Sequence, residues 1–256
     1  SGEKTENSRG DLDYWVVKLN SQGEIEWDKT LGGNSVDQVM GIQETSDGGY
    51  ILGGFSFSDL SGEESQNGRG SADYWVIKLD NAGNIQWDKT IGGSNTDYLG
   101  SLQETNDGGY ILGGSSYSDI SGEKTQHSRG GSDFWVVKLD SKGTILWDKT
   151  IGGGGEDYLS SVQQTNDTGY ILGGASFSDI SGEKSETSRG GDDYWGVKIS
   201  KTGRYWADKT IGGNLNDELS SIKEIEANRF IAGGISYSGI SGDKTQRSRG
   251  EADFWL

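Results

Sequence analysis

The sequence predicts an all-β fold, a β-propeller of four-stranded antiparallel blades. Three observations predict it: a repeat with a fixed period of 60 residues, strand-like segments within every repeat, and a turn composition of 44 glycines with no proline. We treat the whole chain, 1–256, as a single repeat domain. Its units are 1–60, 61–120, 121–180, 181–240 and a partial unit, 241–256.

Each unit contains four strand candidates, as the first unit illustrates. Segment 13–19 is rich in aromatic and β-branched residues, and segment 24–31 alternates polar with apolar side chains, so the two are expected to form one hairpin. Segments 38–45 and 49–56 predict a second hairpin. Both hairpins turn on short segments that contain glycine, because glycine reaches the positive φ that tight β-turns need.

A radial arrangement of these hairpins is favoured over a β-solenoid, since it protects the sheet edges that a flat array exposes. The strand that begins near Gln38 is expected to lie innermost, close to an axis where little room is left for side chains. Its counterparts in the later units carry small residues. These are Gly100, Ser101, Ser160, Ser161, Ser220 and Ser221.

We expect four blades in a closed ring, with the last blade split between the two ends of the chain. The N-terminal hairpin would join the strands of 217–237 to complete that blade. The final residues, 253–256, have a sequence similar to 13–16 and therefore compete for the same place. A larger propeller and a β-solenoid are the alternatives.

Several motifs carry a resemblance to known families. One pattern resembles that of kelch-type propellers. It consists of Gly53-Gly54 at the end of a strand, Tyr14-Trp15 at the start of another strand and Trp27 in the strand after that. Three longer motifs resemble the tandem repeats of large surface proteins of Bacteroidetes. They are Asp-Tyr-Trp-Val-Val-Lys-Leu, Trp-Asp-Lys-Thr-Ile-Gly-Gly and Asp-Gly-Gly-Tyr-Ile-Leu-Gly-Gly. Many of those proteins are cargo of type IX secretion. The resemblance implies a secreted or cell-surface location.

Composition narrows the partners of the chain. A formal net charge of −17 excludes nucleic acid and anionic membrane surfaces as favoured partners and favours cations or basic groups. The chain has no cysteine, so neither a disulfide nor a thiol nucleophile is available. We find no apolar run long enough to span a bilayer and no signal peptide at Ser1. Since the chain begins and ends within the repeat pattern, we expect it to be an excerpt of a longer protein.

Unequal loop lengths pick out one end of the blades as the binding face. The long segments are 58–72, 118–132, 178–192 and 238–252, and binding residues usually lie on long loops held by a rigid scaffold. In each of them, and in the N-terminal segment that contains Arg9, an Arg falls four residues before an Asp. This arrangement indicates either a structural Arg–carboxylate pair, which we favour, or a set of ligand contacts. The arginines are Arg9, Arg69, Arg129, Arg189 and Arg249.

One acidic residue per unit stands at the start of the proposed inner strand. Four such carboxylates would form a ring at the mouth of a channel, and their mutual repulsion would favour a bound cation such as Ca²⁺. In the alternative, which we favour, each side chain caps a backbone turn. The candidate metal ligands are Asp37, Asp97, Asp157 and Asp217.

Aromatic residues recur at two positions of the unit. Those at the exit of a strand toward the long loops are the candidates for stacking on glycan, with core packing as the favoured alternative; they are Phe57, Tyr117, Phe177 and Tyr237. Those inside a strand are expected to pack between blades. They are Trp15, Trp75, Trp135 and Trp195.

Enzyme chemistry is not indicated by the sequence. His127 is the single histidine, and no catalytic triad, histidine metal site or phosphate loop can be assembled. We therefore predict a binding or adhesion module that recognises polysaccharide or protein. A glycoside-active propeller enzyme and a structural spacer are the alternatives. Near-identical units also favour strand exchange between chains or association of copies.

Overall fold

The structure, a computed structural model, describes residues 3–256, so the first Ser-Gly pair of the repeat lies outside the described residues. Every regular element in this range is a β-strand, and no helix there could cross a membrane. The strands are β1 (Tyr14–Leu19), β2 (Ile25–Leu31), β3 (Asp37–Glu44), β4 (Tyr50–Ser56), β5 (Asp73–Leu79), β6 (Ile85–Ile91), β7 (Asp97–Glu104), β8 (Tyr110–Ser116), β9 (Asp133–Leu139), β10 (Ile145–Ile151), β11 (Asp157–Gln164), β12 (Tyr170–Ser176), β13 (Asp193–Ile199), β14 (Tyr205–Ile211), β15 (Asp217–Glu226), β16 (Arg229–Ser236) and β17 (Asp253–Trp255).

The strands form five antiparallel sheets, each built from neighbours in sequence. β1 and β2 form a two-stranded half-sheet; β3–β6, β7–β10 and β11–β14 form three complete four-stranded sheets, here blades 1, 2 and 3; β15–β17 form a three-stranded terminal sheet. No ladder of hydrogen bonds continues from one described sheet into the next, which is incompatible with a β-solenoid. The all-β, propeller-like fold predicted from the repeat is confirmed.

The predicted strands agree with the observed ones to within one residue at each boundary in the first unit. Hairpin turns fall where glycine was expected, and Gly23 and Gly48 both have positive φ, at 82° and 80°. In the third unit Thr168 takes the place of such a glycine and retains a φ of 67°. This conformation is costly for a β-branched residue, so the hairpin fixes the turn.

The core lies between blades. In each unit, the aromatic residue that directly precedes the strand Trp packs on the Trp of the next unit. Examples are Tyr14 with Trp75 and Phe134 with Trp195, whose ring centroids lie 4.9 and 4.8 Å apart. Trp75, Trp135 and Trp195 are completely buried. Removing one of these indoles would cost about 3–5 kcal/mol. The prediction that they pack between blades is confirmed, although Trp15, in the half-sheet, is half exposed.

Innermost strands of successive blades lie side by side, as the small residues predicted. A Cβ on Gly100 of β7 would approach the carbonyl oxygen of Leu159 in β11 to 2.4 Å. Nearby, the Val162 backbone N–H donates to the Ser101 hydroxyl at 3.2 Å, which ties the two blades together. Close packing at this point therefore depends on the absence of larger side chains.

The predicted closure of the ring is corrected by the strand pairing. β1 pairs with β2 only, whereas β17 pairs with β16, with Ser236 opposite Asp253. β17 reaches that edge through a single loop, so its loop-closure cost is lower than that of a strand at the other end of the chain. The split closing blade is not formed within residues 3–256, and the sheets follow one another as an open series.

Candidate functional site: the long-loop face

Long loops and inter-blade links gather at one end of each blade. This long-loop face comprises the loops 57–72, 117–132, 177–192 and 237–252 and the links 32–36, 92–96, 152–156 and 212–216. Loop and link are joined directly: the Gly155 backbone N–H donates to the Ser178 hydroxyl at 3.0 Å, and that of Gly154 donates to the Ser181 hydroxyl at 2.7 Å. The same pair of bonds recurs in the other units, so the face is rigid.

The four aspartates proposed as metal ligands are buried one per unit and hold the links. In blade 3, Asp157 Oδ2 accepts hydrogen bonds from the Gly153 backbone N–H at 2.7 Å and from the Ser178 hydroxyl at 3.0 Å. Asp37, Asp97 and Asp217 make the corresponding bonds. No group of three or more acidic or histidine side chains in residues 3–256 could hold a metal ion. In the described residues these aspartates therefore cap backbone turns, the alternative favoured from the sequence, and a bound cation stays a prediction.

Burial governs the electrostatics of these aspartates. It raises the pKa of Asp97 and Asp157, while hydrogen bonds from glycine N–H groups and serine hydroxyls oppose the rise. The second carboxylate oxygen, Oδ1, accepts no hydrogen bond from the described residues. Each of these side chains thus stabilises a turn at the cost of partial desolvation.

The arginines form clamps between consecutive units. Arg129 donates from Nε and Nη2 to the two carboxylate oxygens of Glu183, at 2.9 and 2.7 Å. Arg69 donates from Nε and Nη2 to a single oxygen of Glu123, Oε1, at 3.2 and 2.8 Å. Arg9 and Arg189 are paired with Glu63 and Asp243. A guanidinium held by a carboxylate 54 residues later in the chain fixes one long loop against the next.

The aspartate that the sequence pairs with each arginine plays a different part. Asp133 Oδ2 accepts a hydrogen bond from the Arg129 backbone N–H at 2.8 Å, and the guanidinium points instead to the following unit. The same backbone bond occurs at Arg9, Arg69 and Arg189. The expected side-chain pair within one loop is thus replaced by a backbone cap plus a clamp between units.

A buried cation occupies three of the loops, and the second unit departs from that pattern. Lys124, Lys184 and Lys244 are almost completely buried, and Lys124 Nζ donates to the Ser116 hydroxyl at 2.8 Å. Glu64 stands at the same position of the second unit, is 1% exposed, and neither of its carboxylate oxygens accepts a hydrogen bond of normal geometry from the described residues. Burial raises its pKa to about 8, helped by nearby carboxylates.

Aromatic side chains line the face at the strand exits. The four candidates Phe57, Tyr117, Phe177 and Tyr237 are between 37% and 45% exposed. The Tyr117 hydroxyl lies 3.0 Å from that of Tyr158, and the ring centroids of Tyr158 and Phe177 are 6.5 Å apart. The structure thus joins aromatic residues of adjacent units into a partly exposed row, although their faces are not fully free.

A second apolar row was missed by sequence reasoning. One aliphatic side chain per unit projects from the turn that follows the aromatic residue. These side chains are Leu60, Ile120, Ile180 and Ile240, and more than half of each is exposed. The signal was present in the repeated Asp-Ile/Leu-Ser-Gly phrase, where an aliphatic residue stands between polar ones within a loop.

His127 lies at the surface of the same face, and its Nδ1 is 2.8 Å from Asp119 Oδ1. The pair is well exposed, and the corresponding position of every other unit holds a different residue. It therefore adds no acid–base group to a recessed site.

Comparison with known proteins finds similarity to solved structures only. No protein-family model and no curated protein matches the chain. A solved structure of a protein of unknown function from Bacteroides caccae is similar to it, with a TM-score of 0.47 and 9% sequence identity. The alignment covers 86% of this chain and 60% of that one, so the chain spans less than two thirds of its neighbour.

Proposed function

We propose that this chain is a binding module of a secreted or cell-surface protein and that it recognises polysaccharide through the long-loop face. The observation that carries the proposal is the partly exposed row of aromatic side chains, Phe57, Tyr117, Phe177 and Tyr237, at one end of the blades. Aromatic rings offer a flat apolar surface with little loss of side-chain entropy on binding.

Rigidity of the face supports this role. Arg–carboxylate clamps, aspartate caps and serine hydrogen bonds hold every long loop against its neighbour, so a ligand would meet a preformed surface. An aromatic residue, Phe or Tyr, recurs at the same position of every unit, which suits a ligand that is itself a repeating polymer. An extracellular setting is proposed from the resemblance of the repeat phrases to those of Bacteroidetes surface proteins.

A protein partner is the second candidate, and the aliphatic row favours it. Leu60, Ile120, Ile180 and Ile240 present apolar side chains without a ring face, which suits a protein surface better than a sugar. The net negative charge of the chain would attract such a partner through the partner's basic groups.

The two candidates are separated by glycan-array binding followed by NMR titration. Saturable binding of a polysaccharide that is weakened by Phe177→Ala and Tyr117→Ala, and unaffected by Ile180→Ser, is the result expected for a glycan ligand. Loss of partner capture on Ile180→Ser alone would favour a protein. Turnover of a labelled polysaccharide would instead indicate an enzyme, and no binding of any kind a structural spacer.

A further inference from the structure

The repeat symmetry of the long-loop face is broken between blade 3 and the terminal sheet. A cavity of about 380 Å³ opens there, within the range of small-molecule sites, and Tyr158, Phe177, Asp192, Asn216 and Glu218 contribute to its wall. No lysine, arginine or histidine is among the residues that line it. The cavity is thus both aromatic and acidic.

The two acids of the cavity wall, Asp192 and Glu218, are absent from the equivalent positions of the other units. Residue 192 corresponds to Ala72 and Ser132 in the preceding units, and residue 218 to Tyr98 and Tyr158. In the preceding unit, Glu156 accepts hydrogen bonds from the Ser132 backbone N–H and the Tyr158 hydroxyl, at 3.1 and 3.0 Å. The corresponding place in the fourth unit is occupied by uncharged Asn216. The third unit thus holds its acid by hydrogen bonds, whereas the fourth unit carries Asp192 and Glu218 on the wall of the cavity.

Asp192 is the group that requires explanation. It is only 4% exposed, and its Oδ1 accepts no hydrogen bond from the described residues. Burial raises its pKa to about 6, and the charges of Glu218, Asp193 and Asp217 add to the rise. A buried acid that could be replaced by the alanine or serine of sister units is a net cost to folding unless a ligand compensates it.

A neighbouring cavity extends the site along the face. Leu215, Asn216, Glu218 and Tyr237 line an open space of about 330 Å³, so Asn216 and Glu218 belong to both cavities. The aromatic residues Phe177 and Tyr237 stand one in each cavity. The two cavities together form a groove in which Glu218 is shared, Asp192 lines one cavity, and each cavity has an aromatic ring in its wall.

We infer that this groove binds an amino sugar within a polysaccharide, with its protonated amine between Asp192 and Glu218 and its ring against Phe177 or Tyr158. The inference rests on the proposed function and gives it a ligand class. A carboxylate and an aromatic face both attract an ammonium group, and the charge-assisted hydrogen bonds are stronger than neutral ones. An N-acetylated sugar lacks that charge and leaves the buried carboxylate without compensation.

Calorimetric titration of the chain with a glucosamine tetramer and with an N-acetylglucosamine tetramer tests the inference. We expect the glucosamine tetramer to bind about tenfold or more tightly, a difference that the charge-assisted contacts account for. Asp192→Ser and Glu218→Tyr should each remove this preference. Both variants restore a residue that another unit carries at the same position, so their folding should be retained, which thermal unfolding would check.

Glu44→Gln is the matched control, because it removes one exposed negative charge at the tight-turn end and should leave the preference intact. Equal affinity for both tetramers, an equal loss in all three variants, or equally tight binding of tetralysine would overturn the inference. If neutral glycans bind and depend on Phe177 while the amine gives no advantage, the amino-sugar assignment fails and the proposed function stands. If no glycan binds at all, the proposed function fails as well.

Discussion

Arg129 holds Glu183 through two parallel hydrogen bonds, at 2.9 and 2.7 Å, across 54 residues of sequence. Arg9, Arg69 and Arg189 pair with the equivalent carboxylates of the following units, each through a single carboxylate oxygen. Glu183 also accepts a hydrogen bond from the Gly152 backbone N–H at 3.2 Å, so one carboxylate ties together an arginine, a link and a turn. Rigidity of the long-loop face follows from this arrangement.

Loss of the bidentate contact between Arg129 and Glu183 should weaken the attachment of one long loop to the next. We expect Arg129→Lys to lower the free energy of unfolding by about 1 kcal/mol, since a lysine cannot make the bidentate contact and the pair is only partly buried. Urea denaturation of Arg129→Lys, Glu183→Gln and the double variant would measure it. Strictly additive effects of the two changes would contradict the clamp.

Glu64→Lys should stabilise the chain. The change installs the ammonium that Lys124, Lys184 and Lys244 supply in sister units, beside carboxylates that now lack compensation. We expect a gain of about 1–3 kcal/mol, the scale of an unsatisfied buried polar group. The reciprocal change Lys124→Glu should destabilise the chain, and thermal unfolding of both variants measures the pair. A loss of stability in Glu64→Lys would show that the site is not equivalent to its sisters.

Stability should depend on pH through Glu64. Its pKa is about 8 in the folded chain against an ordinary value of 4.5, so between these values the folded chain retains a proton that the unfolded chain has lost. The free energy of unfolding should therefore fall as pH rises from about 4.5 to 8 and level off above. The facing groups Asp37, Asp73 and Asp88 are acidic, Tyr14 lies close by, and only the nearby Ser56 hydroxyl opposes the shift.

Glu64→Gln isolates this contribution, because glutamine resembles the protonated acid at every pH. Wild type and variant should be equally stable near pH 4 and diverge toward pH 9, where the variant is the more stable. Parallel stability curves over the whole range would mean that Glu64 is not the group responsible.

Asp157 should act as a structural cap and not as a metal ligand. We expect Asp157→Ala to cost about 1–3 kcal/mol, because the Gly153 N–H and the Ser178 hydroxyl lose their buried acceptor. Millimolar calcium should leave the melting temperature of the wild type unchanged. A calcium-dependent rise that disappears in Asp157→Ala would contradict this prediction and favour the metal site.

Strand positions and the end at which long loops gather could be predicted because they follow from local signals. Alternating residues around Trp27 and the glycines at 23 and 48 fix hairpins without reference to the rest of the chain. Ring closure could not be predicted, since 13–16 and 253–256 carry similar sequences and only the cost of reaching the edge of β16 separates them.

Site details divide in the same way. The sequence predicted that Asp157 caps a turn, because an aspartate before a strand commonly accepts hydrogen bonds from a nearby turn. The partner of Arg129 could not be predicted, because Glu183 lies in the next unit and its approach depends on how blades pack. Asp192 and Glu218 were two acids among many in the sequence, and only their shared cavity distinguishes them.

Distances from electron paramagnetic resonance can establish whether every long loop lies at the same end of the blades. The chain has no native cysteine, so spin labels can be attached in pairs by cysteine substitution at Ile120 and Ile180 or at Asn166 and Ile180. We expect a shorter distance between labels at 120 and 180, on adjacent blades, than between labels at 166 and 180, which lie a strand length of about 25 Å apart. The reverse order would contradict it.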